Sequence, residues 1–324
     1  MLNLFPDIRS AAQRIHPYVL ETPVIPALHL SRETGAQVYL KMESEQYTNS
    51  FKIRGAVNKL LSLNTEAHSS HEDTGLSVVT ASTGNHAQGV ARALGMTDIK
   101  GTIFLPENPE PSKLAALKHY DVDLEQYGKD SLETELHAKQ VAEERGAVWI
   151  SPYNDPDIIA GQGTIGLELK EQLNTIDDVL VTVGGGGLIS GIATCLSCIS
   201  PQTRIIGCQP ENAPDMFRCI EAGEIISIKQ RDTLSDGSAG GVEPGAITFP
   251  ICSALVNEYV LVSEDEIKCA MRLIIDQHHK IIEGAAAVAV AAFLKRQEQF
   301  RGRTVVIILC GGNISSDKLK AVLA

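Results

Sequence analysis

Residues 179–196 read VLVTVGGGGLISGIATCL, and this stretch decides the fold class of the chain. The run Val179–Val183 is short, continuous and rich in β-branched residues, which is typical of a strand buried on both faces of a parallel sheet. It is followed by four glycines and a leucine that opens an apolar helical stretch: Gly184, Gly185, Gly186, Gly187 and Leu188. A buried strand that turns directly into a helix predicts an α/β protein.

The same alternation runs through the rest of the chain. Short apolar runs separated by helix-length segments predict strands at Val38–Met42, Ser77–Thr80, Gly101–Leu105, Ala147–Ile150, Val179–Val183, Arg204–Cys208, Tyr259–Val262 and Thr304–Leu309. Between them, Leu132–Gly146 has the pattern of an amphipathic helix closed by glycine, and Ser263 with Glu266 forms a capping box. We therefore expect mostly parallel sheets covered by helices.

Two polar, turn-rich stretches, Asn64–Gly75 and Ser151–Asp157, are the candidate linkers. They bracket a segment that has strands and helices of its own. This predicts two lobes with a cleft between them: a large cofactor-binding domain formed by residues 1–65 and 154–324, and a small inserted domain formed by residues 66–153.

Composition restricts the class of protein. A net charge of −12 repels phosphate backbones, so we expect no nucleic-acid partner. No apolar run reaches the roughly 20 residues of a membrane span, and the first residues lack the apolar core of a signal peptide. Seven scattered cysteines are typical of a reducing compartment. Because the Cys195-x-x-Cys198 pair has no second pair, we interpret it as buried helix cysteines. These features predict a cytoplasmic enzyme.

The glycine run indicates a phosphate site, because backbone N–H groups and a helix N-terminus both attract an anion. The chain has no nucleoside-triphosphate P-loop. Residues 161–166 match the G-x-G-x-x-G pattern of dinucleotide-binding proteins, but they follow a turn-rich segment rather than a strand. We interpret them as the start of a packed helix, and keep an NAD-dependent oxidoreductase as a distant alternative.

Two further loops follow predicted strands. Ser82-Thr83-Gly84-Asn85-His86 suits the capture of a carboxylate at a helix N-terminus, although ordinary capping by Ser82 or Thr83 explains it equally well. The other loop is Cys310–Asn313. Lys52 lies at the start of a predicted helix, and a lysine becomes nucleophilic when burial or a nearby cation such as Arg54 lowers its pKa. Taken alone, either residue could face solvent.

Together these segments resemble the threonine and serine dehydratase and serine racemase family. The stretch 45–56, EQYTNSFKIRGA, resembles the family's cofactor-lysine motif, and residues 82–86 resemble its substrate-carboxylate loop. Residues 184–188 resemble its phosphate loop, and residues 310–313 the segment beside the cofactor's pyridine nitrogen. The four motifs occur in the family's order over nearly the whole chain.

The resemblance implies a two-lobed fold type II enzyme that uses pyridoxal 5'-phosphate (PLP). Lys52 would be the catalytic lysine that forms a Schiff base with PLP. The other implied cofactor contacts are Phe51, Asn85, Gly184, Gly185, Gly186, Gly187, Leu188, Gly241, Glu283 and Cys310. Ser82, Thr83, Gly84, Asn85 and His86 would bind the substrate carboxylate.

The implied reaction is β-elimination of water from L-threonine or L-serine, giving a 2-oxo acid and ammonia. The alternatives are a serine racemase, since Thr83 stands where racemases have a serine, and a 3-hydroxyaspartate dehydratase. The family's metal site usually begins with a glutamate where this chain has Gln209, so we expect no metal even though Ala213 and Asp215 match. The resemblance implies a homodimer. Because the chain ends at Ala324, we expect a catabolic or specialised dehydratase rather than a feedback-regulated one.

Overall fold

The structure, a computed structural model, describes residues 3–69 and 75–324, with the side chains of residues 66–69 outside the description. The described strands are β1 (Val24–Pro26), β2 (Gln37–Lys41), β3 (Ser77–Ala81), β4 (Lys100–Leu105), β5 (Asp123–Gln126), β6 (Val148–Trp149), β7 (Asp178–Thr182), β8 (Arg204–Pro210), β9 (Glu258–Val262) and β10 (Thr304–Ile308).

The described helices are α1 (Phe5–Ile15), α2 (Leu28–Thr34), α3 (Lys52–Ser69), α4 (Asn85–Leu94), α5 (Pro111–Leu117), α6 (Ser131–Arg145), α7 (Pro156–Gln172), α8 (Gly187–Ile199), α9 (Asp215–Ala222), α10 (Thr248–Leu255), α11 (Glu264–His278), α12 (Gly284–Lys295) and α13 (Ser316–Leu323). Short 3-10 turns occur at Glu43–Glu45, Asp236–Ser238 and Gln297–Phe300.

The strands form two sheets. One has the order β1-β2-β10-β7-β8-β9, and all its neighbours are parallel except the antiparallel pair β1 and β2. The other has the order β5-β4-β3-β6 and is wholly parallel. The predicted α/β class with mostly parallel sheets is therefore confirmed. All eight predicted strands are present, each within one or two residues of the predicted ends.

Strands β1 and β5 were not predicted. The three residues of β1 end in a proline, and β5 reads DLEQ, whose outer residues are exposed. Neither has the apolar run or the strict alternation from which a strand is recognised. Both are edge strands, where pairing with a neighbour rather than the hydrophobic pattern decides the conformation.

The larger sheet packs around α12, whose sequence GAAAVAVAAFLK is buried along most of its length. This helix contacts β7, β8, β9 and β10. Its small alanine side chains let a helix backbone approach the sheet closely while each methyl group is still removed from water. The main hydrophobic core therefore includes strands β7 and β10, from whose carboxyl ends two of the motif loops depart.

The G-x-G-x-x-G segment lies in the middle of α7 rather than at its start. A Cβ at Gly161 would lie 2.6 Å from the carbonyl oxygen of Arg54, and one at Gly163 would lie 2.6 Å from Ile8. These glycines are needed because α7 packs closely against α3, α1 and α8. The interpretation as a packed helix is confirmed, while its predicted position at the helix start is wrong.

Two other interpretations need correction. Residues 64–69 of the predicted linker Asn64–Gly75 continue helix α3, and residues 70–74 lie outside the described residues. Cys195 is buried as expected, but Cys198, near the end of α8, is exposed. The smaller sheet is built from residues 77–149 and the larger from residues on either side, while the domain limits themselves stay a prediction. No described helix has the length and apolar character needed to cross a bilayer.

Candidate active site

Lys52 is the first residue of α3, and the turn before it is tied to the end of β10. The Phe51 N–H donates to the carbonyl oxygen of Cys310 at 3.1 Å, and Ser50 forms an isolated bridge with Gly311. The Lys52 Nζ donates to the carbonyl oxygen of Pro152 at 2.7 Å. Burial lowers the pKa of Lys52 to about 8. A substantial neutral fraction near neutral pH makes this amine a competent nucleophile and base.

Arg54 lies in the first turn of α3 and anchors that turn to Glu43 and Glu168. Its side chain is fully buried and bonds both oxygens of Glu43 at 2.8 Å, as well as Glu168 Oε2 at 2.9 Å. Lys41 pairs with the same Glu168 at 2.5 Å. The lowered pKa of Lys52 follows from burial rather than from this guanidinium, which is neutralised by its two carboxylates. Arg54 is a structural anchor, and its exposure to solvent is excluded.

The predicted carboxylate loop lines a cavity of about 330 Å³ together with Lys52. Ser82 Oγ accepts the Gly84 N–H at 3.1 Å, so this loop makes a tight polar turn. Helix α4 then begins at Asn85 without any side-chain cap. The N–H groups of its first turn are therefore available to an anion in the cavity.

The side chain of His86 does not take part in that loop. Its Nε2 lies 3.0 Å from Thr80 Oγ1 and 3.2 Å from the carbonyl oxygen of Ile150. Burial lowers the pKa of His86 to about 3, so the ring is neutral. Its imidazole joins α4 to the smaller sheet, and only its backbone belongs to the predicted anion site.

The glycine run lies at the N-terminus of α8. Gly186 has φ 90° and caps the helix without a side-chain bond, leaving the first N–H groups unclaimed by a cap. A Cβ at Gly185 would lie 2.5 Å from the ring of Tyr153, so only glycine fits beneath that ring. Thr248 Oγ1 donates to the Gly185 carbonyl at 2.7 Å and holds the loop in this shape. The arrangement suits a phosphate.

Asn85, Glu283 and Asn313 form one hydrogen-bonded group at the cavity wall. Asn85 Nδ2 donates to Glu283 Oε1 at 2.7 Å, and the Asn313 N–H donates to Glu283 Oε2 at 3.1 Å. Asn313 Nδ2 donates to Asn85 Oδ1 at 2.7 Å. Burial raises the pKa of Glu283 to about 7, despite the two donors. The structure thus brings Glu283 and Asn85, which are far apart in sequence, into contact.

Cys310 is buried, and burial raises the pKa of its thiol well above the ordinary value, so it stays protonated. Gly241 behaves differently from the other predicted residues. It is exposed, and its carbonyl oxygen is 3.5 Å from the Tyr153 hydroxyl, while Ala239, two residues earlier, lines the cavity. A contact between Gly241 and a bound molecule stays a prediction.

Sequence reasoning missed the segment that connects the two ends of the site. Pro152 accepts from Lys52, and the ring of Tyr153 covers the glycine run. The Tyr153 hydroxyl also accepts the Glu243 N–H at 2.9 Å. Its proline and asparagine are ordinary turn residues, so the local sequence predicts only a linker there. Lys113 and Asp236 also line the cavity, and they form an ion pair at 3.0 Å. No local sequence pattern predicts that either residue belongs to the site.

The residues at the implied metal position do not fit a divalent cation. Gln209 Nε2 donates to the Val183 carbonyl at 3.1 Å and its Oε1 accepts the Phe217 N–H at 2.8 Å. Asp215 accepts from Gln230 at 2.6 Å. Within residues 3–69 and 75–324, no cluster of acids, histidines and cysteines has metal-binding geometry. A single carboxylate beside an amide already engaged on both sides is a poor hard-cation site.

The residues around Lys52 and the glycine run, by contrast, suit the organic cofactor that the resemblance implies. An amine with a lowered pKa, a loop that tolerates no Cβ at Gly185, and a helix N-terminus without a cap are the features that an aldehyde carrying a phosphate requires. Pro152 and Tyr153, which are adjacent in the chain, contact the amine and the glycine run respectively. The described residues therefore fit PLP.

Comparisons with known proteins agree with this chemistry. The family described as "Pyridoxal-phosphate dependent enzyme" matches residues 15–311. The catabolic L-threonine dehydratase TdcB of Escherichia coli K12 is 40% identical over 318 residues, covering 98% of this chain and 94% of the relative. The processed threonine deaminase isoform 2 of Solanum lycopersicum has a TM-score of 0.91 at 35% identity, covering 99% of this chain and 86% of that one. Serine racemase of Dictyostelium discoideum has a TM-score of 0.85 at 35% identity, covering 96% and 98%.

Proposed function

Because the chain belongs to the family of pyridoxal-phosphate-dependent enzymes, we propose that it is an ammonia-lyase that acts on L-threonine, L-serine or both. L-Threonine gives 2-oxobutyrate and ammonia, and L-serine gives pyruvate and ammonia. The observation that carries the proposal is the partly buried Lys52, whose pKa is lowered to about 8, at a cavity lined by the uncapped start of α4. The threonine dehydratases and deaminases among the relatives support this choice of substrate.

The chain would hold PLP at several points. Lys52 would bind the aldehyde, and the N–H groups of residues 184–188 would bind the phosphate. Phe51 would pack against the ring, Asn85 would bond the ring hydroxyl, and Cys310 would lie at the pyridine nitrogen. When bound, PLP withdraws electrons from the substrate Cα.

The remaining steps belong to residues of this chain. The first-turn N–H groups of α4, with Ser82 and Thr83, orient the substrate carboxylate. Lys52 Nζ removes the Cα proton, because burial favours its neutral form. Departure of the β-hydroxyl as water and later hydrolysis of the product give the 2-oxo acid and ammonia, so one water leaves and one enters.

Cys310 supports elimination over competing reactions. Its thiol stays protonated and is a weak hydrogen-bonding group, so it leaves a pyridine nitrogen largely without a proton. A weaker electron sink shortens the life of the carbanion and favours loss of the β-hydroxyl over transamination.

A direct test combines a spectrum with product analysis. PLP is added to the apoprotein, the visible band is recorded before and after borohydride, and the labelled peptide is mapped. We expect a yellow protein and a label on Lys52. Incubation with L-threonine, L-serine and 3-hydroxyaspartate should then release ammonia and 2-oxo acid most rapidly from the first two. A colourless protein, or a label on another side chain, would contradict the proposal.

The same incubation separates the racemase alternative. Chiral chromatography measures D-serine formed from L-serine, and we expect pyruvate to exceed it, because Thr83 carries an extra methyl where racemases have serine. A D-serine yield above that of pyruvate would favour the racemase. A homodimer in the cytoplasm is also part of the proposal, supported by the family resemblance for the dimer and by the seven scattered cysteines for the cytoplasm. Light scattering of the purified protein and cell fractionation test these two points.

A further inference from the structure

Asn313 lines the active-site cavity but has no role in the reaction as proposed so far. Its side-chain amide is fully used. Nδ2 donates to the carbonyl oxygen of Thr48 at 2.8 Å and to Asn85 Oδ1 at 2.7 Å. Its Oδ1 accepts from Asn49 Nδ2 at 3.2 Å. An amide with this many partners has a single orientation.

That orientation can be deduced without seeing hydrogen atoms. The Thr48 carbonyl can only accept, so the atom of Asn313 that faces it must be the nitrogen. The same nitrogen faces Asn85, so the Asn85 atom opposite must be the oxygen. The nitrogen of Asn85 then faces Glu283 Oε1, which lies 2.7 Å away. One backbone carbonyl thereby determines the orientation of two amides in series.

The consequence for Asn85 is directional. One of its two Nδ2 hydrogens goes to Glu283, and its oxygen is held by Asn313. In the part of the chain that the structure describes, no hydrogen bond uses the second Nδ2 hydrogen. Because Asn85 lines the cavity, it offers a ligand a donor rather than an acceptor.

We infer that Asn313 is a positioning residue, which turns the Asn85 amide so that its N–H meets the ring oxygen of the bound cofactor. This inference rests on the proposed function, because it takes PLP as the ligand beside Asn85. The backbone N–H of Asn313 adds a second restraint by bonding Glu283 Oε2 at 3.1 Å. The three residues thus close a ring of hydrogen bonds that joins α4, α12 and the end of β10. Without the Asn313 amide, only the bond to Glu283 Oε1 holds the orientation of Asn85, and a protonated Glu283 allows the amide to turn and present its oxygen instead.

A double-mutant cycle tests whether Asn313 acts through Asn85. The PLP dissociation constant is measured by titrating each apoprotein: wild type, Asn313→Ala, Asn85→Ala and the double variant. Loss of one hydrogen bond to a polar or charged ring oxygen should weaken PLP binding about tenfold. We expect each single variant to show this loss, and Asn313→Ala to add little when Asn85 is already alanine.

A second variant keeps the size of the side chain at position 313 but replaces its hydrogen-bond donor by an acceptor. Asn313→Asp is nearly isosteric but places an oxygen opposite Asn85, so the Asn85 nitrogen should turn towards it and away from the ligand. We expect a loss of PLP affinity similar to that of Asn313→Ala, together with a shift in the pH profile of the visible band. The exposed Asn174, which is not among the residues that line the cavity, supplies the control Asn174→Ala, which should change neither measurement.

The outcomes separate the inference from the proposed function. If wild type binds no PLP, the proposed function fails and the inference falls with it. If wild type binds PLP but Asn313→Ala weakens binding equally in both backgrounds, Asn313 acts independently of Asn85 and the inference is overturned. Unchanged affinity in Asn313→Ala, or in Asn85→Ala, overturns it as well. Melting temperatures of the apoproteins identify any misfolded variant, and Asn313→Asp carries the test if Asn313→Ala does not fold.

Discussion

Replacing Arg54 by methionine removes the centre of the charge network beneath α3. The variant keeps most of the side-chain volume but deletes the guanidinium that bonds Glu43 and Glu168. Glu168 keeps Lys41 as a partner at 2.5 Å and is partly exposed. Glu43 is fully buried and keeps only the Thr22 hydroxyl as a direct side-chain partner, so the cost falls mainly on Glu43.

The size of that cost depends on pH. Burial is the largest influence on Glu43 and opposes its charge, but in the wild type Arg54, with smaller contributions from Lys41 and Thr22, outweighs burial and holds the pKa of Glu43 below its ordinary value of 4.5. Without Arg54, Glu43 escapes the penalty by taking up a proton, which costs about 1.4 kcal/mol per pH unit above 4.5. The charge-dependent loss is therefore about 3 kcal/mol at pH 7 and under about 1 kcal/mol at pH 5.

The assay is urea unfolding of the apoprotein, followed by circular dichroism at pH 7 and pH 5. Glu43→Gln in the Arg54→Met background removes the unpaired charge and should recover most of the loss at pH 7. Arg301→Met is the matched control, because the Arg301 pair with Glu298 lies at 3.5 Å with both side chains largely exposed. A loss below 1 kcal/mol at pH 7, or an equal loss at both pH values, would refute the reasoning.

Four other changes test the site. Lys52→Ala should lower turnover at least about 10²–10⁴-fold through loss of the base, measured as 2-oxo acid release, and near wild-type turnover would exclude Lys52 as the catalyst. Gly185→Ala should weaken PLP binding, since its Cβ would lie 2.5 Å from the Tyr153 ring, and an unchanged dissociation constant would show that the ring moves aside. Cys310→Asp should lower dehydratase turnover, and an unaltered kcat would remove Cys310 from the pyridine nitrogen. The folded state raises the pKa of Glu283 to about 7 from 4.5, so its contribution to stability is present below pH 4.5 and is lost as the pH rises through 7. Glu283→Gln should therefore stabilise the apoprotein by up to about 3 kcal/mol above pH 7 and hardly at all near pH 4, and a pH-independent difference in unfolding free energy would contradict this sign.

Much of the fold was readable from local pattern. The strands around Val179–Val183 and Thr304–Leu309 are buried on both faces, so their apolar runs are unbroken and easy to recognise. The capping box at Ser263 and the glycine after α6 are likewise local devices, and both are present. By contrast, the polar residues Asn64–Ser69 have no helical pattern of their own. They continue α3 because tertiary packing stabilises the earlier turns of that helix.

Local patterns are sufficient to predict the fold class, the position of the candidate lysine at a helix start, and the glycine run at the end of a buried strand, because each depends on residues adjacent in the chain. Tertiary structure alone decided which distant groups meet. It buried Arg54 between two carboxylates, set Pro152 against Lys52, and turned the Asn85 amide through Asn313. Such contacts join residues up to 265 positions apart, as between Asn313 and Thr48. Hydrophobic periodicity in the sequence cannot predict these contacts, because they arise only when the carboxyl ends of separate strands and the starts of separate helices converge on one cavity.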